Sequence, residues 1–288
     1  MITPTIALLA TFGAFIFWGL GDFLIQRSVR KLGDLKPLSY IGAFGTLALL
    51  PFIIQDLLHI NKTNLYLLLG LGILGFIVSW INFETLRKGK ISVVDVIFEM
   101  ELPVTIILGF IFLDETLTTP QLSAILVIFL GLILVATKKL NIKNKKSIER
   151  GVLLAFITAI GLGFINFLTG IAAQEASPLL AIWFPWMIIF FVIIIIEIKN
   201  NGWNSYIQGI KKYPTLIIST SVIDTLAWVC FAYAVTQQQI GITVAVTEGY
   251  PIIGIILGRI INKEHLHTHQ YIGAALTLAA AITLATLI

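Results

Sequence analysis

The stretch KKLNIKNKKSIER, Lys138 to Arg150, decides how the chain is read. It carries six basic residues, Lys138, Lys139, Lys143, Lys145, Lys146 and Arg150. Apolar sequence flanks it on both sides, ILVIFLGLILVAT at 125–137 and GVLLAFITAIGLGF at 151–164. Such a segment is a polar linker between two apolar units. It divides the 288 residues into a first unit, 1–137, the basic cytoplasmic linker 138–150 and a second unit, 151–288.

Working outward, both units consist of long apolar runs broken by short polar turns. Hydrophobic residues make up 58% of the chain and charged residues 12%, about half the charged share of a soluble domain. A chain this apolar cannot cover itself with polar groups in water, so lipid is its solvent. A helix needs about 20 apolar residues to cross the hydrocarbon. Ten runs meet that need: 5–26, 36–55, 64–86, 92–113, 119–137, 151–173, 178–198, 214–236, 241–261 and 269–287. They lack the alternation of barrel strands, so the expected fold is all-α integral membrane with ten transmembrane helices. Ser177-Pro178 and Thr119-Pro120 read as N-cap and first helical residue of their spans.

The charges orient this arrangement. Eighteen of the nineteen Lys and Arg residues fall in alternate connections, and Lys62 alone lies on the other side. The positive-inside rule puts the eighteen in the cytoplasm of a multi-pass cell-membrane protein, with N- and C-termini outside. The net charge of +4 is therefore topology and not a nucleic-acid surface. The single cysteine, Cys230, excludes an internal disulfide framework. Expected partners are a small-molecule substrate and the bilayer, with the protein a monomer or homodimer.

The two units repeat. Asp22-Phe23-Leu24 matches Asn166-Phe167-Leu168; Pro37 matches Pro178; Trp80-Ile81-Asn82-Phe83 matches Trp228-Val229-Cys230-Phe231. Pro103 matches Pro251, and Glu115 and Gln121 match Glu264 and Gln270. Five spans per half is an odd number, so the halves lie inverted, a transporter design that places the site near the midplane.

These residues resemble the ten-helix EamA type of the drug/metabolite transporter superfamily. The likeness rests on Trp18-Gly19 with Asp22-Phe23, on the helices of Pro103 and Pro251, and on the turns Asp114-Glu115-Thr116-Leu117…Gln121 and Lys263-Glu264-His265-Leu266…Gln270. It covers essentially the whole chain and implies two inverted five-helix EamA repeats that move small metabolites. Better-described relatives have cytoplasmic termini, whereas the charges here place them outside.

Polar residues within the spans are the candidate site, because a charge in the bilayer costs at least about 2.5 kcal/mol. Glu99, Glu248, Asp224 and Glu101 are the candidate substrate-binding or coupling carboxylates; the alternative for each is a structural hydrogen bond to a neighbouring helix. Helical geometry puts Glu99 and Glu101 on nearly opposite faces. Trp18, Trp80, Trp228 and Tyr250 are candidate cavity walls or packing residues, and Asn166 a bridge between helices. Asp95, three residues after Ser92, fits a capping box. Asp22 reads as a partner for a basic residue in the following loop. Trp183 and Trp186 read as interfacial belt residues and Trp203 as part of a cytoplasmic loop. His265, His267 and His269 lack the pattern of a metal site. No Walker loop or hydrolase signature is present, and no cofactor is expected. Secondary transport by alternating access, with proton coupling or exchange, is the leading expectation; an intramembrane enzyme acting on lipid-linked substrates and a channel are the alternatives.

Overall fold

The computed structural model describes residues 4–88, 97–136, 145–200, 202–261 and 267–287. The expected cap at Ser92 and Asp95, the linker over 138–144 and the turn with Lys263, Glu264, His265 and Leu266 lie outside them. The described residues form helices only: α1 (Pro4–Leu32), α2 (Leu35–Leu58), α3 (Lys62–Lys88), α4 (Glu101–Phe112), α5 (Thr119–Ala136) and α6 (Lys145–Glu175). Then follow α7 (Pro178–Lys199), α8 (Trp203–Lys212), α9 (Pro214–Ala234), α10 (Ile240–Thr247), α11 (Pro251–Ile261) and α12 (Thr268–Ala285). Seven stretches are long and apolar enough to cross a membrane: most of α1, α3 and α6, the whole of α2, α7 and α9, and the α10–α11 segment. The apolar helices α4 and α5 are shorter. Large side chains point outward, with Phe52 71%, Phe110 67% and Ile260 69% exposed. In water such a surface would be untenable; against acyl chains it costs nothing.

Helix pairing follows the repeat. The first helix of each half packs on the third of the other: α1 on α9, and α6 on α3. The second helices, α2 and α7, pack on each other, as do the last, α5 and α12. Close backbone approach explains two of these contacts. A Cβ on Gly42 would stand 2.9 Å from the Trp186 carbonyl oxygen, and one on Gly131 2.9 Å from the Gly273 carbonyl oxygen. Small residues bring helices together in lipid, where the hydrophobic effect does not.

Matched polar residues also do matched work. Gln121 accepts from the Thr118 backbone N–H at 2.9 Å and donates to the Leu287 carbonyl at 3.2 Å. Gln270 accepts from the His267 N–H at 3.0 Å and donates to the Val135 carbonyl at 2.9 Å. Each glutamine thus caps its own helix and holds the far end of its partner, satisfying orphan groups that lipid would leave bare. Thr118, one residue before the expected Thr119, is therefore the residue whose N–H is capped.

Three local expectations change. Trp183 and Trp186 are not belt residues. They are 8% and 7% exposed; the Trp183 indole donates to the Thr46 carbonyl at 2.9 Å, and the Trp186 ring edge covers Gly45. Trp203 opens an amphipathic helix and not a loop: α8 turns Tyr206 and Gly209 inward. It is fastened by Tyr40, whose hydroxyl donates to the Tyr206 carbonyl at 2.7 Å, and by Lys36, which donates to Ser205 at 2.7 Å. Ser177 does precede Pro178 at the head of α7, but its hydroxyl donates to Asp56 at the end of α2 at 2.5 Å.

Candidate functional site

The site begins with two interruptions. Glu99 and Met100 form a turn before α4, and Glu248, Gly249 and Tyr250 form a turn between α10 and α11. Proline follows each turn. Pro251 has no N–H for the Thr247 carbonyl; Tyr250 N–H takes that oxygen instead at 3.0 Å. Met100 N–H similarly bonds three residues back, to Ile97, at 3.0 Å. Such tight turns in apolar segments survive only where protein surrounds them.

Glycines seat both turns. A Cβ on Gly19 of α1 would stand 2.7 Å from the Tyr250 carbonyl oxygen and 2.5 Å from Ile253 Cβ. A Cβ on Gly163 of α6 would stand 3.1 Å from the Glu101 carbonyl oxygen and 2.6 Å from Val104. Gly19 and Gly163 occupy equivalent places, each three residues before the matched Asp22 and Asn166. The first helix of each half therefore holds the break of the other half, and carries a polar side chain one turn further along the same face.

The carboxyls gather around these breaks. Glu99, Glu101, Asp224 and Glu248 are buried, at 4%, 5%, 5% and 3% exposure. Glu101 and Glu248 share a side-chain hydrogen bond, which needs one proton between the two carboxyls. Glu99 lies within electrostatic range of Glu248 and Tyr250. Residues 99 and 100 form a turn ahead of Glu101, and both Glu99 and Glu101 lie within electrostatic range of Glu248.

Asp22 was missed as a site residue. Its partner is the Tyr250 hydroxyl, which donates to it, and not a basic loop residue. Its side chain is exposed, unlike the four carboxyls above. Glu101, Asp224 and Glu248 all lie within its electrostatic range. Its repeat partner Asn166 is buried at 4% exposure on α6, one turn from the α4 break. The match of Asp22 with Asn166 was the available signal.

An aromatic wall joins this cluster to a cavity. Trp18 and Trp228 meet edge to face at 5.1 Å, and Trp18 lies 6.3 Å from Tyr250. Trp228 also lines a partly open cleft whose wall includes Gly75 and Ser79 of α3, Ile165 and Thr169 of α6 and Pro185 of α7. On α9, Ser221, Asp224, Thr225 and Trp228 follow helical spacing along one face. The Ser221 and Thr225 hydroxyls and one Asp224 carboxylate oxygen are buried with no hydrogen-bond partner among the described residues. Trp80 stands apart: it is 39% exposed and packs on Phe76 at 5.8 Å.

The whole arrangement has a counterpart among known proteins. The family model of EamA-like transporters matches residues 5–137 and again 149–286. The chain belongs to the EamA-like transporter family. Two copies of the EamA-like unit thus account for the paired breaks and paired glutamines. An uncharacterized protein of Methanocaldococcus jannaschii is 28% identical over 123 residues, which are 42% of this chain and 89% of that protein. That relative is about the length of one EamA-like repeat. A crystal structure at 13% identity superposes with a TM-score of 0.72, covering 98% of this chain and 96% of the other; at that identity it shows the fold alone. EamA-like membership and the apolar helices together make the chain a multi-pass membrane transporter.

Proposed function

We propose that the protein is a secondary transporter of small metabolites or amphipathic compounds, working by alternating access between two inverted five-helix repeats. The reading counts ten crossings, the fourth and ninth interrupted at Glu99–Met100 and Glu248–Tyr250. One observation carries it: both interruptions rest on a glycine of the opposite half, at Gly19 and Gly163, and turn polar groups into the interior. Equivalent packings open to opposite sides are what inverted repeats supply, and broken helices at the midplane are where such carriers bind.

In this reading the substrate enters past Asp22, lies against Trp18 and Trp228, and contacts Glu99, Glu248 and Asp224. The hydrogen-bonded Glu101–Glu248 pair holds a proton that a conformational change can expose to either side, which supports exchange or proton coupling. The remaining groups facing that pair are the acids Asp22 and Glu99 and the phenol of Tyr250, while Asp224 faces Asp22. Eighteen basic residues in alternate connections support cytoplasmic placement of the 138–150 linker and α8, and external termini.

The test is flux through proteoliposomes of purified protein. Substrates come from a thermal-shift screen of a metabolite library. Carboxamide replacement at Glu99, Asp224 and Glu248 is expected to abolish or strongly slow flux and to flatten its pH dependence. Unchanged rate and pH dependence in the triple replacement would remove these carboxyls from the mechanism.

A further inference from the structure

We propose that the carboxyl cluster and the Trp228 cavity form one site for an organic cation, with the ammonium head among the carboxylates and an apolar body in the cavity. The proposal rests on the transport reading only for what happens after binding.

Charge is the first argument. Asp22 lies within electrostatic range of Glu101, Asp224, Glu248 and Tyr250; Glu101 and Glu248 lie within range of each other, and Glu99 within range of Glu248 and Tyr250. Arg27, two residues past the first turn beyond Asp22, lies instead over the Phe23 ring at 4.5 Å. Among the described residues, an anionic metabolite entering this space would meet acids on several helices, with no base among the neighbours of Asp22, Glu101, Asp224 and Glu248. Like charges brought together out of water repel strongly. A cation would be attracted by the same groups.

An independent observation points to a ligand. Asp224 is 5% exposed, and one of its carboxylate oxygens has no hydrogen-bond partner among the described residues. A buried polar atom left so is costly. The same side chain lies within electrostatic range of Asp22, which ties it to the cluster. Ser221 and Thr225, beside it on α9, also keep unpartnered buried hydroxyls.

Shape selects the kind of cation. Among the described residues no three acidic, His or Cys side chains converge as ligands of one metal ion. The acids are spread around a space, which suits a larger cation. Trp18, Trp228 and Tyr250 supply aromatic faces that attract such charge. Trp228 stands one turn from Asp224, about 6 Å along α9, and opens on the mainly apolar cleft between α3, α6 and α7. A head group at Asp224 would therefore place a ring or short alkyl chain in the cavity.

Three compounds that share a phenylethyl body test this: 2-phenylethylamine, 2-phenylethanol and 3-phenylpropionate. Binding to full-length purified protein in detergent is measured by calorimetry and by the shift in melting temperature. The amine is expected to bind and stabilise, and the alcohol and acid to do so far less. Asp224→Asn and Glu248→Gln are each expected to weaken amine binding about tenfold or more, the loss of one charge-assisted contact. Trp228→Ala is expected to weaken it as well, with Trp228→Phe restoring part should the alanine variant fold poorly. Equal or tighter binding of the acid or the alcohol overturns the proposal. So does amine binding unchanged in both carboxamide variants, or no binding of the amine at millimolar concentration. Uptake of the same compounds into proteoliposomes separates this from the transport reading. Amine bound but never moved would sink transport and leave the cation site standing; saturable uptake of the acid without amine binding would do the reverse.

Discussion

Gly19 has no side chain because the place of its Cβ is taken by Ile253 and the Tyr250 carbonyl, at 2.5 and 2.7 Å. Gly70, in contrast, faces open space. Gly19→Ala is expected to destabilise the protein by about 1–3 kcal/mol through overpacking and to impair flux, since it pushes on the break that carries Glu248. Gly70→Ala is expected to be neutral or to stabilise by up to about 1 kcal/mol, because alanine favours helix. Melting temperatures of the two variants in detergent check this. At this scale the sequence was partly legible. Buried Glu99, Glu101, Asp224 and Glu248 stood out because charge in lipid demands a reason. Asp22 did not, because its distance from a helix end suggested a loop partner, and only the fold brings Tyr250 to it. Trp183 and Trp186 were misread for a similar reason: position near a span end cannot tell a lipid-facing indole from one that covers a glycine of the next helix.

Glu115 shows what an element needs from elsewhere. Helix α10 begins with Ile240, and its first N–H groups have no carbonyl in their own helix. The Glu115 carboxylate, from the other half, accepts from Ile240 N–H at 2.6 Å and from Gly241 N–H at 3.1 Å. Asp114 makes the preceding turn possible with φ 51°. Glu115→Ala is expected to cost about 1–2 kcal/mol, the scale of a lost N-cap, with Glu115→Gln recovering part because it keeps one acceptor oxygen. Thermal unfolding of the two variants reads this directly. Helix existence and most boundaries followed from apolar run length and from Pro, Ser and Thr at the starts. The interruptions did not, because a proline about halfway along an apolar run, as Pro103 in 92–113 and Pro251 in 241–261, reads equally as a kink in a continuous span. Trp203–Lys212 was also hidden: ten residues of mixed polarity between spans look like a loop until one face is buried against Tyr40.

At the scale of the molecule, the repeat was legible because it is written in matched residues, among them the glutamines at 121 and 270 and the prolines at 103 and 251; the equivalence of Gly19 and Gly163 emerged only from the fold. Cargo is not written so plainly, since it depends on which groups meet in space. Orientation rests on the distribution of basic residues and is checked by labelling. In a Cys230→Ala background, Lys62→Cys is expected to react with an impermeant maleimide on intact cells. Asn204→Cys, on α8, is expected to react only after the membrane is opened. The reverse pattern would invert the topology and leave the two-repeat architecture intact.

As proposed, this EamA-like chain is a carrier with an interior site that faces each side in turn. Counterflow tests it most directly. Proteoliposomes are preloaded with an excess of an unlabelled screening hit and diluted into a trace of the labelled compound. A carrier predicts saturable uptake with a transient overshoot above the equilibrium level, lost when Glu99, Asp224 and Glu248 are replaced by their carboxamides. Uptake that rises linearly with concentration and approaches equilibrium without overshoot, in the unaltered protein and the triple variant alike, would contradict the account.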